Sequence, residues 1–112
     1  MMVFNDYGSA RDYITITTNT AAQFIPTVML NYPSIEGLMG LRAKAALITI
    51  ESGSINFTMD GTTPTTTATT NIGHTLVSND SILVTDWENV KRFQWINSVS
   101  SSGVIVKITT FE

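Results

Sequence analysis

The chain has 112 residues, a formal net charge of −3 and no cysteine. This length fits one domain, and the missing cysteines exclude disulfide frameworks, thiolate metal sites and cysteine nucleophiles. Only 13% of the residues are charged, and they form no basic patch, so we expect no nucleic-acid partner, because phosphate binding needs several cations on one face.

No stretch of the sequence indicates a membrane span or a secretory signal. No apolar run is longer than Ala45–Ile48, which is far shorter than the ~20 residues that cross a bilayer. The first residues lack the charged-then-apolar pattern of a signal peptide. We therefore expect no membrane partner, and we expect the chain to be made and folded in a cytosol.

The first third of the chain predicts the least regular structure. Residues 1–12 look like an arm or a first edge strand. Tyr13–Thr18 alternates apolar and polar residues, which predicts a half-buried strand with Ile14 and Ile16 facing the core. Residues 1–42 are therefore either an arm or a set of edge strands added to a core.

Two proline- and glycine-interrupted stretches complete that part. Phe24–Leu30 is apolar but contains Pro26, which restricts it to an edge strand or an irregular extended piece. Residues 31–40 are a connection with room for a single helical turn around Leu38.

The middle of the chain gives the strongest strand pattern. Lys44–Glu51 is mostly apolar on both faces, which predicts a central strand covered on both sides. Ser52-Gly53 is typical of a two-residue hairpin turn, and Ser54–Met59 alternates again. We therefore predict a β-hairpin over residues 44–59.

The second half of the chain is divided by frequent turn signals. Asp60-Gly61 predicts a turn and Thr62–Thr70 a long threonine-rich loop. Further turns are predicted at Ser78–Asp80 and Asp86–Asn89, and a loop at 97–103. The strands predicted between them are Thr75–Val77, Ser81–Thr85, Val90–Ile96 and Val104–Phe111. A turn every 8–12 residues predicts one all-β antiparallel sandwich, jelly-roll or immunoglobulin-like, with its core in residues 43–112.

The residues that carry chemistry are sparse. His74 is the single histidine, so no histidine pair exists for zinc, and a capping or surface role is favoured over that of a catalytic base. Asp60, Asp80 and Asp86 all lie at predicted turns, where aspartates bond to their own backbone, and no Asp-x-Asp-x-Asp-Gly calcium loop is present. We expect no enzyme activity, no metal and no cofactor.

The two tryptophans have different settings. Trp95 alternates with Phe93 in a predicted strand and is assigned to the core. Trp87 lies in a predicted turn, where it either stacks on a sugar or fills a neighbour's pocket, or folds back over the end of the sandwich.

One set of segments carries a family resemblance over residues 43–112. The segments are Ala45–Glu51, Ile55–Thr65 with its Asp-Gly-Thr-x-Pro-Thr turn, Gly73–Leu76, Arg92–Ile96 and the final aromatic Phe111. This set resembles small structural proteins of tailed-bacteriophage virions. The loop departs from that pattern, with Thr66–Asn71 as the apparent excess.

The resemblance implies a non-enzymatic virion protein that decorates or cements the capsid. Its partners would be the major capsid protein or other virion proteins, and it would form a homo-oligomer. A tail or head–tail connector component is an alternative within the same group. The implied location is the virion, after synthesis in the host cytoplasm. The candidate interface residues are Trp87, Asp60, Thr62 and Pro64.

A shorter resemblance supports a different class. Phe57–Thr65 is similar to the Tyr-Thr-x-Asp-Gly-x-x-Pro signature of small sandwich domains appended to chitin- and hexosamine-processing enzymes. Those domains are non-catalytic, so this resemblance implies a carbohydrate-binding accessory module. A small hydrolase built around His74 is the third and least favoured hypothesis.

Overall fold

The computed structural model describes residues 10–17, 22–32, 41–66, 71–98 and 103–111. Strands dominate these residues. They are β1 (Ala10–Thr17), β2 (Gln23–Phe24), β3 (Asn31–Tyr32), β4 (Leu41–Arg42), β5 (Ala45–Ser52), β6 (Ser54–Thr58), β7 (Thr65–Thr66), β8 (Asn71–Ile72), β9 (His74–Val77), β10 (Ser81–Thr85), β11 (Gln94–Asn97) and β12 (Ile105–Phe111). Two short helices, α1 (Thr27–Leu30) and α2 (Trp87–Arg92), lie between strands.

Two four-stranded antiparallel sheets form the body of the fold. The first sheet has the order β1-β12-β5-β10 and the second the order β2-β11-β6-β9. Two small ribbons, β3-β4 and β7-β8, lie in the connections. The predicted all-β antiparallel sandwich is confirmed.

The pairing scheme identifies the kind of sandwich. Among the eight strands of the two sheets, the first pairs with the last, the second with the seventh, the third with the sixth and the fourth with the fifth. A folded-over ribbon of this kind, with four strands in each sheet, is the jelly-roll arrangement. Immunoglobulin-like sandwiches divide seven or nine strands differently, so the jelly-roll is the alternative that the strand order matches.

The core lies between the two sheets and draws on both. Alternating residues of each strand face inward, as the pleat of a sheet requires. Trp95 and Phe93 are completely buried, with ring centroids 5.9 Å apart, and Phe57 stacks on Phe93 at 5.1 Å. Ile14 and Ile16 of β1 pack against this cluster, half-buried. The core roles assigned to Trp95, Ile14 and Ile16 are confirmed.

The predicted hairpin over residues 44–59 is wrong in its pairing. Both strands exist, but β5 pairs with β10 and β12 whereas β6 pairs with β9 and β11. At Gly53 the chain passes from one sheet to the other, so Ile50 and Ile55 enter the same core from opposite sheets, both fully buried. Corners between sheets and hairpin turns use the same small, flexible residues, which is why the sequence pattern suggested a hairpin.

The predicted coverage of β5 on both faces is wrong beyond Ala45, which lies on the second face and is fully buried. The central position of β5, between β12 and β10, is confirmed. Ala46, Ile48 and Ile50 are fully buried, whereas Leu47 and Thr49 on the other face are only half-buried. Both leucine and threonine fit the exposed side of a pleated sheet, so the apolar count of this strand overstated its burial.

A helix replaces a predicted turn and part of a predicted strand. Helix α2 covers the turn placed at Asp86–Asn89 and the first half of the strand placed at Val90–Ile96. Its single buried side chain is Val90, and Glu88 pairs with Lys91 at 3.2 Å and with Arg92 at 3.5 Å. Pairs three and four residues apart stabilise a helix, although one turn and a half is too short to show a clear apolar period.

Two smaller differences lie in the other connections. Phe24–Leu30 was predicted as an edge strand or an irregular extended piece, and only Phe24 belongs to an edge strand, β2. After Pro26 the chain forms helix α1, begun by the Met29 N–H donating to the Pro26 carbonyl at 2.9 Å. The predicted 62–70 loop contains the short strand β7. The helical turn expected around Leu38 lies outside the described residues, as do residues 1–9.

The longer connections gather at one end of the sandwich. Because antiparallel strands alternate in direction, the connections from β2 to β5, from β6 to β9 and from β10 to β11 all lie at the same end. Their described parts, residues 25–32, 41–44, 59–66, 71–73 and 86–93, are here called the loop end. The opposite end includes the tight corners at Gly53 and Ser78–Asp80.

Candidate functional site

The Asp60 turn is a compact hydrogen-bonded unit at the loop end. The Thr62 backbone N–H donates to Asp60 Oδ1 at 2.9 Å, Gly61 adopts a φ of 93°, and the Thr58 hydroxyl donates to the Thr62 carbonyl. Hydrogen bonds from the Thr62 backbone and side chain, with a smaller contribution from the Arg92 charge, lower the pKa of Asp60 below its usual value. The result is a fixed, ionised and exposed carboxylate.

Beside this turn lies an open depression of about 330 Å³. Three connections form its wall: the end of β6 and the Asp60 turn, the start of β9, and helix α2. The lining residues are Thr58, Met59, Asp60, Gly73, His74 and Asn89. Asn89 is held in place because its Nδ2 donates to the Thr85 carbonyl at 3.1 Å, which leaves its Oδ1 as an acceptor.

Gly73 allows β9 to reach this depression. It has a φ of 123°, and a Cβ there would lie 2.9 Å from the Phe57 carbonyl oxygen, so only glycine fits. The next residue, His74, is exposed and pairs with Phe57 across the strands, with ring centroids 5.6 Å apart. The close approach of backbone at Gly73 therefore presents the imidazole to the depression.

Trp87 lies on another side of helix α2. It is half-buried and packs against the main core. The Arg42 guanidinium lies 5.3 Å from its ring centroid and the Lys91 ammonium 5.8 Å from it, distances typical of cation–π contacts. The indole therefore folds back over the end of the sandwich, which is one of the two alternatives predicted for Trp87. Two cations already lie against its ring.

The four residues selected from the sequence all lie at the loop end, but in different settings. Asp60 and Thr62 are exposed in one turn, Pro64 is buried, and Trp87 is half-buried across α2. Only Asp60 lines the depression. The sequence analysis did not predict Asn89 as a lining residue. Helix α2 places Asn89 at the depression, and this segment was predicted to be a turn.

The outward side of the first sheet is a second candidate surface. Two rows cross its four strands in register: Tyr13, Thr109, Leu47 and Leu83, then Thr15, Lys107, Thr49 and Ser81. These eight residues are here called the outer face. Every one of them is half-buried or exposed. Sequence reasoning missed the face because it placed both sides of β5 in the interior.

The outer face contains mostly hydroxyl and aliphatic groups. Tyr13 is 61% exposed and its hydroxyl bonds to Thr15 Oγ1 at 2.9 Å, while Thr49 and Ser81 join their hydroxyls at 2.8 Å. Its one charged residue, Lys107, pairs with Glu51 at 3.2 Å. The face therefore offers a partner polar contacts without an unpaired ion among these rows.

The described ranges contain no metal-type site: no three histidine, cysteine or acidic residues there converge in a way that holds a metal ion. None of the helices described is long and apolar enough to cross a membrane. Comparisons with models of known protein families, with curated proteins and with solved structures found no match.

Proposed function

We propose that this protein is a non-enzymatic structural component of a bacteriophage virion that decorates or cements the capsid by binding across major capsid protein subunits. The observation that carries the proposal is the outer face. The jelly-roll arrangement, which viral capsid proteins and lectins both use, supports it by fold analogy only.

The chemistry of the outer face suits a protein partner. Burying a hydroxyl that finds a hydrogen bond costs far less than burying an unpaired ion, and here the one ammonium, that of Lys107, already has Glu51 as its partner. Leu47 and Leu83 lie next to each other on β5 and the edge strand β10 and supply apolar area at one side of the face. A partner can therefore cover these rows at little desolvation cost.

The edge of the same sheet offers a second contact. Strand β1 is eight residues long and, in the described part of the chain, pairs only with β12. Its segment 13–17 contains no charge and no proline, which are the usual devices that block an edge. An extended segment of a partner can add to such a strand through backbone hydrogen bonds.

The size of the face determines what kind of binding to expect. Four strands about 4.8 Å apart, each about five residues long with every second side chain on this face, cover roughly 300 Å². A stable complex needs about 800 Å² on each partner. The face alone is therefore too small, and we propose that the face and the β1 edge contact two adjacent capsid subunits, so that the complete site exists only on the assembled shell.

The carbohydrate module remains the second candidate, although not through Trp87. Sugar stacking needs an open aromatic face, and the Trp87 ring is half-buried with Arg42 and Lys91 beside it. A tail or head–tail component would use the same outer face on a different virion partner.

Co-sedimentation with capsid shells tests the proposal. The shells are assembled from the major capsid protein encoded in the same genome, and the unassembled subunit is tested in parallel. We expect the protein to pellet with shells and not to bind free subunits. Tyr13→Ala should weaken binding, whereas the matched control Phe24→Ala, an aromatic 53% exposed on the edge of the second sheet, should not. A genome without a capsid gene, or equal behaviour of the two variants, would refute the proposal.

A further inference from the structure

We propose that the depression between the Asp60 turn, His74 and helix α2 binds a neutral sugar. This inference goes beyond the capsid role and does not depend on it, because the depression is at the loop end whereas the outer face lies on one sheet. Its supports are the kinds of polar group around it, their charges and the shape of the space.

The polar groups around the depression suit vicinal hydroxyls. The Asp60 carboxylate accepts hydrogen bonds, Asn89 offers an acceptor oxygen on a fixed amide, and the His74 ring has one donor and one acceptor when neutral. Met59, half-buried in the wall, adds an apolar surface. A few placed polar groups on a partly apolar wall are the general pattern of small-molecule sites, and sugar rings carry hydroxyls and C–H faces that match both.

The charges favour a neutral ligand over an ionic one. Asp60 already accepts hydrogen bonds from the Thr62 backbone and side chain and lies in the field of Arg92. An added anion would meet the repulsion of Asp60, and an added metal cation would find no second carboxylate, because Asp60 is the one acidic residue among the described lining residues. A neutral ligand that donates hydroxyls to the carboxylate meets no repulsion and needs no second carboxylate.

The shape sets the expected affinity. The volume of about 330 Å³ lies at the low end of the range for small-molecule sites, about 300–1,000 Å³, and the space is open to solvent. An open site with three polar groups excludes little water, so we expect dissociation constants in the millimolar range, roughly 1–10 mM.

Nuclear magnetic resonance titration provides the test. The ¹⁵N-labelled protein is titrated with a panel of methyl glycosides of common hexoses and N-acetylhexosamines. We expect at least one glycoside to shift the amide signals of Gly73, His74 and Asn89 in a saturable way. Asp60→Asn should weaken that binding by roughly tenfold or more, since hydrogen bonds to a charged group are the strong ones. The asparagine keeps an oxygen for the Thr62 N–H, so the turn is retained.

The control is Asp86→Asn, the same chemical change at another exposed loop-end aspartate that does not line the depression. Asp86 already holds a φ of 72° as a non-glycine residue, and asparagine has the same shape as aspartate, so the exchange leaves the demand on the backbone unchanged. We expect Asp86→Asn to bind as the original protein does. No saturable shift with any glycoside up to about 50 mM, shifts centred on Trp87 instead, or unchanged binding by Asp60→Asn would each overturn the proposal while leaving the capsid-binding test untouched.

Discussion

The corner at Gly53 gives the sharpest stability prediction. Gly53 has a φ of 81°, and a Cβ built there lies 2.7 Å from Val104 Cγ2. Gly53→Ala therefore costs about 1–2 kcal/mol for placing a side chain at positive φ, and overpacking against Val104 adds about 1–3 kcal/mol. Gly103→Ala is the matched control, because φ there is 61° but nothing lies within 4 Å of the new Cβ. It should incur only the backbone cost.

A double-mutant cycle isolates the steric part. Without Cγ2, the nearest Val104 atom to the new methyl group is Cβ at 3.4 Å, an ordinary contact. Val104→Ala should therefore recover about 1–3 kcal/mol of the cost of Gly53→Ala. The free energy of unfolding is measured from urea denaturation of all four proteins.

The result that would refute this reasoning is additivity. If the costs of Gly53→Ala and Val104→Ala simply add, the two residues are not in contact, and the passage of the chain between sheets at Gly53 is wrong. Equal costs for Gly53→Ala and Gly103→Ala would lead to the same conclusion.

Three further predictions address the core, the surface and pH. Trp95→Ala should lower the free energy of unfolding in urea by about 3–5 kcal/mol, and half-buried Trp87→Ala by clearly less; equal losses would contradict the packing. Lys107→Met should change the same quantity by under about 1 kcal/mol, because the pair with Glu51 is exposed; a larger loss would show that the pair is structural. Because Thr62 hydrogen bonds lower the pKa of Asp60 from 3.8, its ionised form stabilises the fold above that pH. That contribution should be lost as the pH falls through the lowered pKa, and acid titration followed by nuclear magnetic resonance should show the low pKa in the original protein but not in Thr62→Pro, which lacks the N–H.

Strands were readable from the sequence where apolar residues recur at every second position. The segments around Ile14, Ile48, Ile55, Trp95 and Val106 are all strands in the structure, because the period of two reports the core face directly. Turn positions were equally readable at Gly61 and Asn79, both at positive φ, because few residues tolerate that conformation.

The pairing of the strands and the short helix α2 could not be predicted from the sequence. Whether a chain turns back within a sheet or crosses to the opposite sheet at Gly53 depends on what lies above the glycine, here Val104, 51 residues later. Helix α2 was hidden because Val90 alone anchors it, and one buried residue sets no period. Short elements of this kind are fixed by tertiary contacts and not by their own sequence.

Only the local part of the candidate site could be predicted from the sequence. Asp60 and Thr62 form a local unit, so their turn could be inferred from adjacent residues. Asn89 and His74 come to Asp60 only because three connections meet at one end of the sandwich. The outer face depends on strand order, since its rows join residues as far apart as Tyr13 and Thr109.

The thermal stability of assembled capsid shells tests the central claim most directly. A protein that binds across subunits stabilises the shell by mass action. Shells carrying this protein should therefore melt at a higher temperature than bare shells, in proportion to occupancy, and the shift should fall with Tyr13→Ala but not with Phe24→Ala. An unchanged melting temperature at saturating protein would contradict the account.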